Sequence, residues 1–460
     1  MAAEVSSEQK RNPFREIVQP FIDVVRAPRA LWGVNVSYFL EGFCYFGVLG
    51  YLAMYFNRYV GLSDTQAGPM VGVLTWGITL AMFFFGGRAD KWGVRTTLIA
   101  SILLMIAGRA VLAAGPFLGV EGGVWSPLFF IALVALLFVI LGYGMYQPAA
   151  YAAVRQFTTP KTAGMGYAML YALMNLGGWL PTWFTPIRES IGISGAYWVY
   201  VGITILGLFL LIAILSRKTV KQAIAEVQGS AAGEKPVEES ARPKERFSIL
   251  KWLKNHPLAD AKFAVFIFAL IPVQTLFAHN WLTLPMYVER AYRGSWIGNH
   301  FEAATNFNSL LIFILVPIIA AATQRRKVYS MMIAGTAVMA APTFLLAIGP
   351  NFWTLLGFLV LMTVGEAMWQ PRFLQYAAEI APEGRTGAYM GVAQFPWFLT
   401  KVITSLYSGW FLSRYCPKDG PTHTETMWFI YGCIAILSTI ILIFAKGWLG
   451  KDFKTSHNPT

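Results

Sequence analysis

The 460-residue sequence has little charge and few groups able to carry out chemistry. Asp, Glu, Lys and Arg together make up 13% of it, about half the share found in a soluble domain. Its cysteines, Cys44, Cys416 and Cys433, are too few and too scattered for a disulfide framework or a metal site. The sequence shows no histidine–aspartate cluster, nucleotide-binding loop or nucleophile motif. These absences exclude a soluble enzyme, a secreted disulfide scaffold and a disordered chain, and we expect no enzymatic activity, cofactor or metal.

Apolar residues are abundant instead, at 56% of the sequence. Apolar stretches of about 20 residues recur from Ala30 to Ala445, and each is long enough to cross about 30 Å of hydrocarbon. The stretches are continuously apolar and do not alternate, which disfavours a transmembrane β-barrel. The pattern therefore predicts an all-α integral membrane protein.

Twelve transmembrane spans are predicted, and a polar segment divides them into two sets of six. Residues 217–261 are rich in Lys, Glu, Ala, Ser and Pro, which is typical of a flexible, solvated linker. We expect an N-terminal bundle at 30–216, a C-terminal bundle at 262–446, and polar ends at 1–29 and 447–460. Apolar residues at helical spacing predict amphipathic surface helices at 12–26 and 247–254. The spans are 30–56, 64–87, 95–117, 126–154, 162–186, 195–216, 262–288, 299–323, 328–349, 352–379, 386–413 and 424–446.

The distribution of basic residues predicts the orientation. With the N-terminus inside, 27 of the 36 Lys and Arg residues fall in inner segments and six in outer loops. This is the bias of a cytoplasmic face, so both termini are expected in the cytoplasm. The net charge of +13 then faces an anionic inner leaflet, and no nucleic-acid partner is needed to explain it. We expect no cleavable signal peptide, and a multi-pass protein of the plasma membrane or bacterial inner membrane.

The two halves share an internal repeat. Residues 142–148 read Gly-Tyr-Gly-Met-Tyr-Gln-Pro, and residues 365–371 read Gly-Glu-Ala-Met-Trp-Gln-Pro. Each motif lies in the fourth span of its half and is followed by a proline-containing loop and a helix start rich in small residues. The halves are therefore copies with parallel topology, expected to superpose about an axis along the membrane normal. Repeated halves around a midplane site are typical of secondary transporters.

The inner loop between spans 2 and 3 carries the most specific motif. Residues 86–95 read Gly-Gly-Arg-Ala-Asp-Lys-Trp-Gly-Val-Arg, a tight turn in which Asp90 is a lone acid. This pattern resembles the cytoplasmic signature of the major facilitator superfamily, and with the repeat it extends the resemblance over nearly the whole chain. The resemblance implies that the loop braces the inner face in an outward-open state. We expect Asp90 to lie near Gly387, with Arg88 or Arg155 close by. The signature is filled by Gly86, Arg88, Asp90, Gly93 and Arg95.

A finer pattern in span 1 resembles the proton-dependent oligopeptide transporter family. The chain matches its motif Glu-x-x-Glu-Arg-Phe-x-Tyr-Tyr-Gly at Glu41, Phe43, Tyr45 and Gly47. It departs from it at Tyr38 and Gly42, in place of the first glutamate and the arginine. The family uses these lost groups for proton coupling and for the peptide carboxylate. The resemblance implies a proton-coupled transporter.

Five ionisable residues are expected at membrane depth, where each costs several kcal/mol unless it is paired or hydrated. They are Glu41, Arg109, Glu366, Arg372 and Lys401. Two interpretations stand: structural salt bridges within each bundle, or proton exchange at Glu41 or Glu366 with a substrate anion held by Arg109 or Lys401. We expect both glutamates to face the cavity between the halves, with one of these bases within reach.

Neutral polar and aromatic residues can complete the substrate cavity. Pro148 and Pro371 mark matching kinks that can act as hinges, and a lone His279 is expected to be structural. Taken singly, each cavity candidate can equally be ordinary bundle packing. The candidates are Tyr45, Tyr146, Gln147, Asn175, Gln274, Asn308, Trp369, Gln370 and Gln394.

The sequence thus favours a secondary transporter that moves a small organic solute, peptide-like or anionic, by alternating access with proton symport. The alternative is a non-transporting solute receptor or sensor on the same fold. The expected partners are the solute, the proton and the lipid bilayer, and the protein is expected to be a monomer.

Overall fold

The structure is a computed structural model that describes residues 27–62, 64–159, 162–230, 256–299, 301–324, 326–382, 384–417 and 420–449. Within these ranges, all regular secondary structure is helical. The amphipathic segments predicted at 12–26 and 247–254 lie outside the described residues.

Eight α-helices make up the described part of the first half and the start of the linker. Helix α1 continues into a π-helical turn, and Ser126 caps α5 by accepting a hydrogen bond from the Phe129 N–H, as N-cap serines do. The bounds are α1 Arg29–Tyr55, α2 Asp64–Phe85, α3 Arg88–Trp92, α4 Val94–Ala114, α5 Pro127–Phe157, α6 Ala163–Trp179, α7 Thr185–Ile214 and α8 Arg217–Ser230.

Eleven further α-helices are described in the second half. Asp260 caps the first of them through the N–H groups of Lys262 and Phe263. The bounds are α9 Ala261–Phe268, α10 Ile271–Leu282, α11 Leu284–Ala291, α12 Trp296–Asn299, α13 Phe301–Ala322, α14 Val328–Ala340, α15 Thr343–Leu346, α16 Phe352–Glu379, α17 Thr386–Ala393, α18 Phe395–Tyr415 and α19 Thr424–Leu449.

Several predicted spans are divided in the structure. The seventh breaks before Ile271 and again at Thr283, and the eleventh breaks at Gln394. A proline follows each break within two residues, and the proline lacks the N–H that would continue the preceding helix. Helix α7 also begins earlier than predicted, at Thr185, and kinks at Gly192, whose φ is 71°.

The start of the linker is ordered, which differs from the flexible segment expected there. Helix α8 places Val220, Ala223 and Ile224 against the hydrophobic core, and it packs on α1 and α5. These residues recur at spacings of three and four, so they form one apolar face of a helix. Burial of that face stabilises a segment whose composition alone suggests disorder.

Seven described helical segments are long and apolar enough to cross a membrane, and two shorter apolar helices accompany them. The protein is therefore a multi-pass α-helical membrane protein. The seven are Val94–Phe117, Pro127–Phe157, Ile187–Ile214, Ala261–Asn280, Val328–Leu346, Phe352–Glu379 and Thr424–Leu449, and the shorter two are Pro69–Phe85 and Phe307–Ala322.

Helix packing follows the repeat. Gly142 on α5 lies against Met105 of α4, and Gly365 on α16 lies against Met339 of α14. A Cβ at Gly365 would come within 2.2 Å of the Met339 N atom, so only glycine permits this approach. The matching glycines therefore have the same function, which is to let the fourth span of each half pack closely on the third.

Contacts between the halves join α6 to α13 and α16, and α2 to α17 and α18. Met165 and Ala168 on α6 form one buried cluster with Ile312 and Val316 on α13 and with Ala367 on α16. The two halves are thus held together along these helices, and the candidate site lies among them.

Candidate functional site

The carboxylate of Asp90 joins the two halves at the inner face. One oxygen accepts a hydrogen bond from the Gly387 N–H at 2.9 Å, and the other accepts one from the Ala388 N–H at 3.0 Å. Both N–H groups lie at the start of α17, where a negative charge is favourable. Burial raises the pKa of Asp90 to about 6, although both hydrogen bonds and nearby Arg385 and Arg155 oppose the shift. The predicted position of Asp90 beside Gly387 is confirmed.

Arg155 makes a second contact between the halves, but as a base that donates to the end of a helix rather than an acid that accepts from a helix start. Its guanidinium, at the end of α5, donates to the carbonyl oxygens of Ala378 and Ala381 and to the Thr386 hydroxyl at 2.8 Å. The carbonyls belong to the end of α16 and the residues after it, where positive charge is favourable. An acid and a base of the first half thus bind opposite ends of two helices of the second half.

The remaining residues of the signature shape the inner loop. A Cβ at Gly86 would lie 2.9 Å from the Gly391 Cα, and Gly93 has a φ of 76°, so both positions require glycine. The Arg88 guanidinium lies 5.1 Å from the centroid of the Trp92 ring. Arg95 donates to the Leu215 carbonyl at the end of α7. Gly86 therefore serves the contact between the halves, whereas Gly93 and Arg95 hold the loop in place.

Glu366 lies between the halves. The Tyr171 hydroxyl of α6 donates to one of its carboxylate oxygens at 2.5 Å, and the Asn308 amide of α13 donates to the other at 2.8 Å. The same Asn308 amide also donates to Thr363 at 3.0 Å. Among the described residues, no Lys, Arg or His lies within ion-pair distance of Glu366, so its two visible partners are neutral.

Glu41 is placed differently. It forms a buried ion pair with Arg109 of α4, and Arg109 also donates to the Thr204 hydroxyl of α7 at 2.7 Å. The predicted reach of Arg109 to a glutamate is confirmed. The described contacts of Glu41 all come from the first half, whereas we expected it to face the cavity between the halves. The physical reason is that the side of α1 that carries Glu41 faces α4 and α7, where Arg109 offers a full counter-charge.

Aromatic hydroxyls form a cluster on α1 and α5 of the first half. Tyr38 donates to the Tyr151 hydroxyl at 3.2 Å, and Gln147 donates to the same oxygen at 2.9 Å. Tyr146 bonds to Ser37 at 2.6 Å. Tyr45 stacks on Tyr143, with ring centroids 4.6 Å apart. The predicted residues Tyr45, Tyr146 and Gln147 are therefore parts of one polar aromatic wall.

The second-half candidates lie in two places: Gln274 and Lys401 lie where α10 meets α18, and Trp369 and Gln370 lie on α16. Gln274 accepts a hydrogen bond from Thr400 at 3.4 Å, and Lys401 lies 5.8 Å from the Trp397 ring centroid. Trp369 instead lies in the bundle interior, where its indole N–H contacts the Met339 sulfur at 3.1 Å. The carbonyl oxygen of buried Gln370 has no described partner.

Among three other predicted residues, His279 and Asn175 contact their own half, and Arg372 joins the two halves. The His279 ring bonds to Thr283 at 2.8 Å and to Tyr407 at 2.9 Å, in agreement with a structural histidine. Asn175 donates to the carbonyl of Tyr171, four residues before it on the same helix. Arg372 donates to the Thr323 carbonyl at 2.9 Å and lies beside Gly164 at the start of α6, so it belongs to the inner contact.

Sequence reasoning did not find Tyr171 or Thr204. Both are neutral hydroxyls in apolar helices, and nothing in their spacing distinguishes them from packing residues. The detectable signal lies in their partners, because a buried carboxylate needs donors and a buried guanidinium needs acceptors.

Comparison with known proteins identifies the family. A family model described as "Major Facilitator Superfamily" matches residues 34–404 and 298–459. The chain therefore belongs to the major facilitator superfamily. Among curated relatives, it is 27% identical over 198 residues to the peptide transporter YePEPT of Yersinia enterocolitica, a match covering 41% of this chain and 36% of that protein. It is 26% identical over 175 residues to the galactose-proton symporter of Escherichia coli, covering 37% of each. The matched part thus spans well under half the length of these relatives.

Solved structures share the fold over most of the chain. The proton:xylose symporter XylE has a TM-score of 0.60 at 14% identity, covering 91% of this chain and 96% of XylE. A peptide transporter POT bound to sulfate has a TM-score of 0.55 at 18% identity, covering 92% and 95%. The fold is that of the superfamily, and among the sequence matches the peptide transporter YePEPT agrees with the resemblance to peptide transporters noted in span 1.

Proposed function

We propose that this protein is a secondary transporter that moves a small organic solute by alternating access, with proton symport. The observation that carries the proposal is the pair of hydrogen bonds that Tyr171 and Asn308 donate to Glu366. Tyr171 belongs to the first half, so any rocking of one half against the other breaks or remakes its bond. A carboxyl whose donors change with the conformation changes its proton affinity as well, and that is the link a symporter needs.

The contacts of Asp90, Arg155 and Gly86 that join the halves at the inner face, here called the inner contact, supply the gate in this scheme. Asp90 and Arg155 bind helix ends of the second half, and Gly86 allows the backbones of α2 and α17 to meet. All these contacts join the halves at the predicted cytoplasmic face. We expect the solute to exchange with the outer side while these contacts hold, and breaking the contacts to open the inner side.

The proposed architecture is twelve spans in two six-helix bundles, at 30–216 and 262–446, with both termini in the cytoplasm and the monomer as the working unit. The packing of matching glycines, Gly142 and Gly365, supports two equivalent bundles. The basic excess of the inner segments supports the orientation.

Glu366 is the proposed coupling acid, whereas Glu41 is already neutralised by Arg109. The solute cavity is proposed to lie between the aromatic wall of α1 and α5 and the side of α18 that carries Lys401. The names of relatives, a peptide transporter and a galactose-proton symporter, support symport of a small polar solute.

Purified protein in proteoliposomes tests the proposal. An inward proton gradient should drive accumulation of a labelled solute selected by thermal stabilisation from peptides, sugars, nucleosides and organic acids. Collapse of the gradient with an ionophore should reduce accumulation to simple exchange. Binding of the solute without any uptake or exchange would instead identify a receptor.

A further inference from the structure

Lys401 on α18 is a cation for which the first half offers no partner in the described structure. The two ion pairs among the described residues are Arg109–Glu41 and Arg188–Glu189. The visible interaction of the Lys401 ammonium is with the Trp397 ring, at 5.8 Å from its centroid. A cation at membrane depth is costly without an anion or water, so Lys401 requires a functional explanation.

The position of Lys401 around α18 is defined by its neighbours. Residues of an α-helix advance about 100° each, which places Lys401 opposite Trp410, a residue with 59% of its surface exposed. Lys401 therefore points away from the lipid side. Thr400 contacts Gln274 of α10 on one flank, and Phe398 contacts Trp76 of α2 on the other. The Lys401 side of α18 thus faces the space between α10 and the first half.

Two buried amides share this region. Gln394 lies at the break before α18, seven residues before Lys401 and therefore about 10 Å from it along the helix direction. The Nε2 groups of Gln274 and Gln394 have no described hydrogen-bond partner. Both residues are buried, with 0% and 7% of their surface exposed. Buried amide donors of this kind are normally satisfied. The free Gln274 donor, which Thr400 holds one residue from Lys401, and the Lys401 ammonium form a set that is complementary to oxyanions.

An apolar surface borders the donors. Trp397 stacks on Phe277 of α10, with ring centroids 4.9 Å apart and planes at 28°. Phe277 is buried, whereas Trp397 is half-buried and offers area to a flat or apolar group one turn before Lys401. The arrangement favours a solute with an acid group at one end and an apolar body at the other.

We infer that Lys401, with the amide of Gln274, binds the carboxylate of an organic anion whose apolar part lies against Trp397. This inference rests on the proposed transport function, because it names the class of solute that would be transported. It differs from peptide recognition through span 1, where the chain has Gly42 in the position of the family's arginine. The basic group that receives the acid has moved to the other half of the molecule.

Binding to the purified full-length protein tests the site without requiring transport. The probes are benzoate, phenylacetate and butyrate, each compared at neutral pH with its uncharged amide, benzamide, phenylacetamide or butyramide. At least one acid should raise the melting temperature and bind at least about tenfold more tightly than its amide. Lys401→Gln should remove this preference, Lys401→Arg should largely retain it, and Lys446→Gln, at an exposed lysine of α19, should leave it unchanged.

The outcomes separate the site from the function. Equal binding of every acid and its amide by the wild type would overturn the inference, as would an acid preference that persists in Lys401→Gln. If that variant instead melts below the wild type in the absence of probe, Lys401 is structural and the inference is wrong. Acid-selective binding that Lys401→Gln abolishes, without accumulation in vesicles, would support the site and contradict the transport proposal. Accumulation that Lys401→Gln leaves unchanged would support the transport proposal and contradict the site.

Discussion

Tyr171 and Glu366 are joined across the two halves by a hydrogen bond of 2.5 Å from the tyrosine hydroxyl to the carboxylate. They lie on α6 and α16, which pack against each other at the boundary between the halves. Glu366 is 2% exposed, so water screens the bond poorly. Separation of the helices would leave the carboxylate with Asn308 as its remaining described donor from another helix.

We expect Glu366→Gln to retain solute exchange and to lose proton-driven accumulation. Glutamine resembles the protonated acid, so the halves can still rock, but no proton is carried. The measurement compares counterflow with gradient-driven uptake in proteoliposomes. Glu379→Gln, a matched change at the inner end of the same helix, should keep gradient-driven uptake. Full accumulation by Glu366→Gln would show that the coupling acid lies elsewhere.

Glu41 and Arg109 should behave as a structural pair. Loss of one partner leaves a buried charge, which costs about 3 to 5 kcal/mol, whereas replacing both partners is often close to neutral. We therefore expect Glu41→Gln and Arg109→Gln each to lower the melting temperature in detergent strongly. The double variant should melt above both single variants. Additive losses, or loss of proton coupling with normal stability in Glu41→Gln, would contradict this and restore Glu41 as a coupling site.

The position of Asp90 and the pairing of Glu41 could be predicted because each follows from a local rule. Asp90 is the lone acid of an inner turn, and a helix start such as that of α17 attracts it. Arg109 pairs with Glu41 because neither charge is tolerated alone at membrane depth. Depth along a helix can be counted from the sequence, so the five charged residues were recognisable before their contacts were known.

Direction around a helix was harder to predict. Glu41 and Glu366 were expected to face the same cavity, yet Glu41 points to α4 and α7 while Glu366 points to α6 and α13. In apolar helices, the hydrophobic pattern does not distinguish a lipid-facing side from a buried one. The breaks at Thr283 and Gln394 escaped notice for a related reason, since proline within a membrane span is often accommodated without ending the helix.

Asp90→Asn should slow turnover while leaving solute binding nearly intact. An amide group presents one acceptor oxygen, so it can accept from Gly387 or from Ala388 with that oxygen but cannot offer a second carboxylate oxygen to the other. The amide loses one hydrogen bond but also removes a buried charge, so the strength of the inner contact changes, whereas the cavity is untouched. Initial rates of exchange and the affinity from equilibrium binding distinguish the two effects. An unchanged rate would contradict a gating function for Asp90.

The inner contact should also depend on pH through Asp90. Burial raises the pKa of Asp90 to about 6 in the closed form, whereas an open inner face returns it toward about 4. Between these values the closed form binds more protons, so closure is most favourable below about pH 4 and weakens as the pH rises to about 6. Distances between spin labels at the inner ends of α2 and α17 should lengthen over this interval. Asp90→Asn should abolish the change, and a pH response that persists in this variant would assign it to another group.

Gly391 tests the closeness of the halves directly. A Cβ at this position would lie 2.3 Å from the Met82 carbonyl oxygen and 3.1 Å from the Gly86 Cα. Both are backbone atoms of the first half, so they cannot move aside as a flexible side chain can. We expect Gly391→Ala to separate the inner ends of α2 and α17 and to shift the spin-label distances toward the open form at every pH. Gly202→Ala is the matched control, because nothing lies within 4 Å of a Cβ there and the distances should stay those of the wild type. If Gly391→Ala leaves the distances unchanged while lowering the melting temperature, then the glycine serves packing alone and the close approach of α2 and α17 is not what holds the inner face shut.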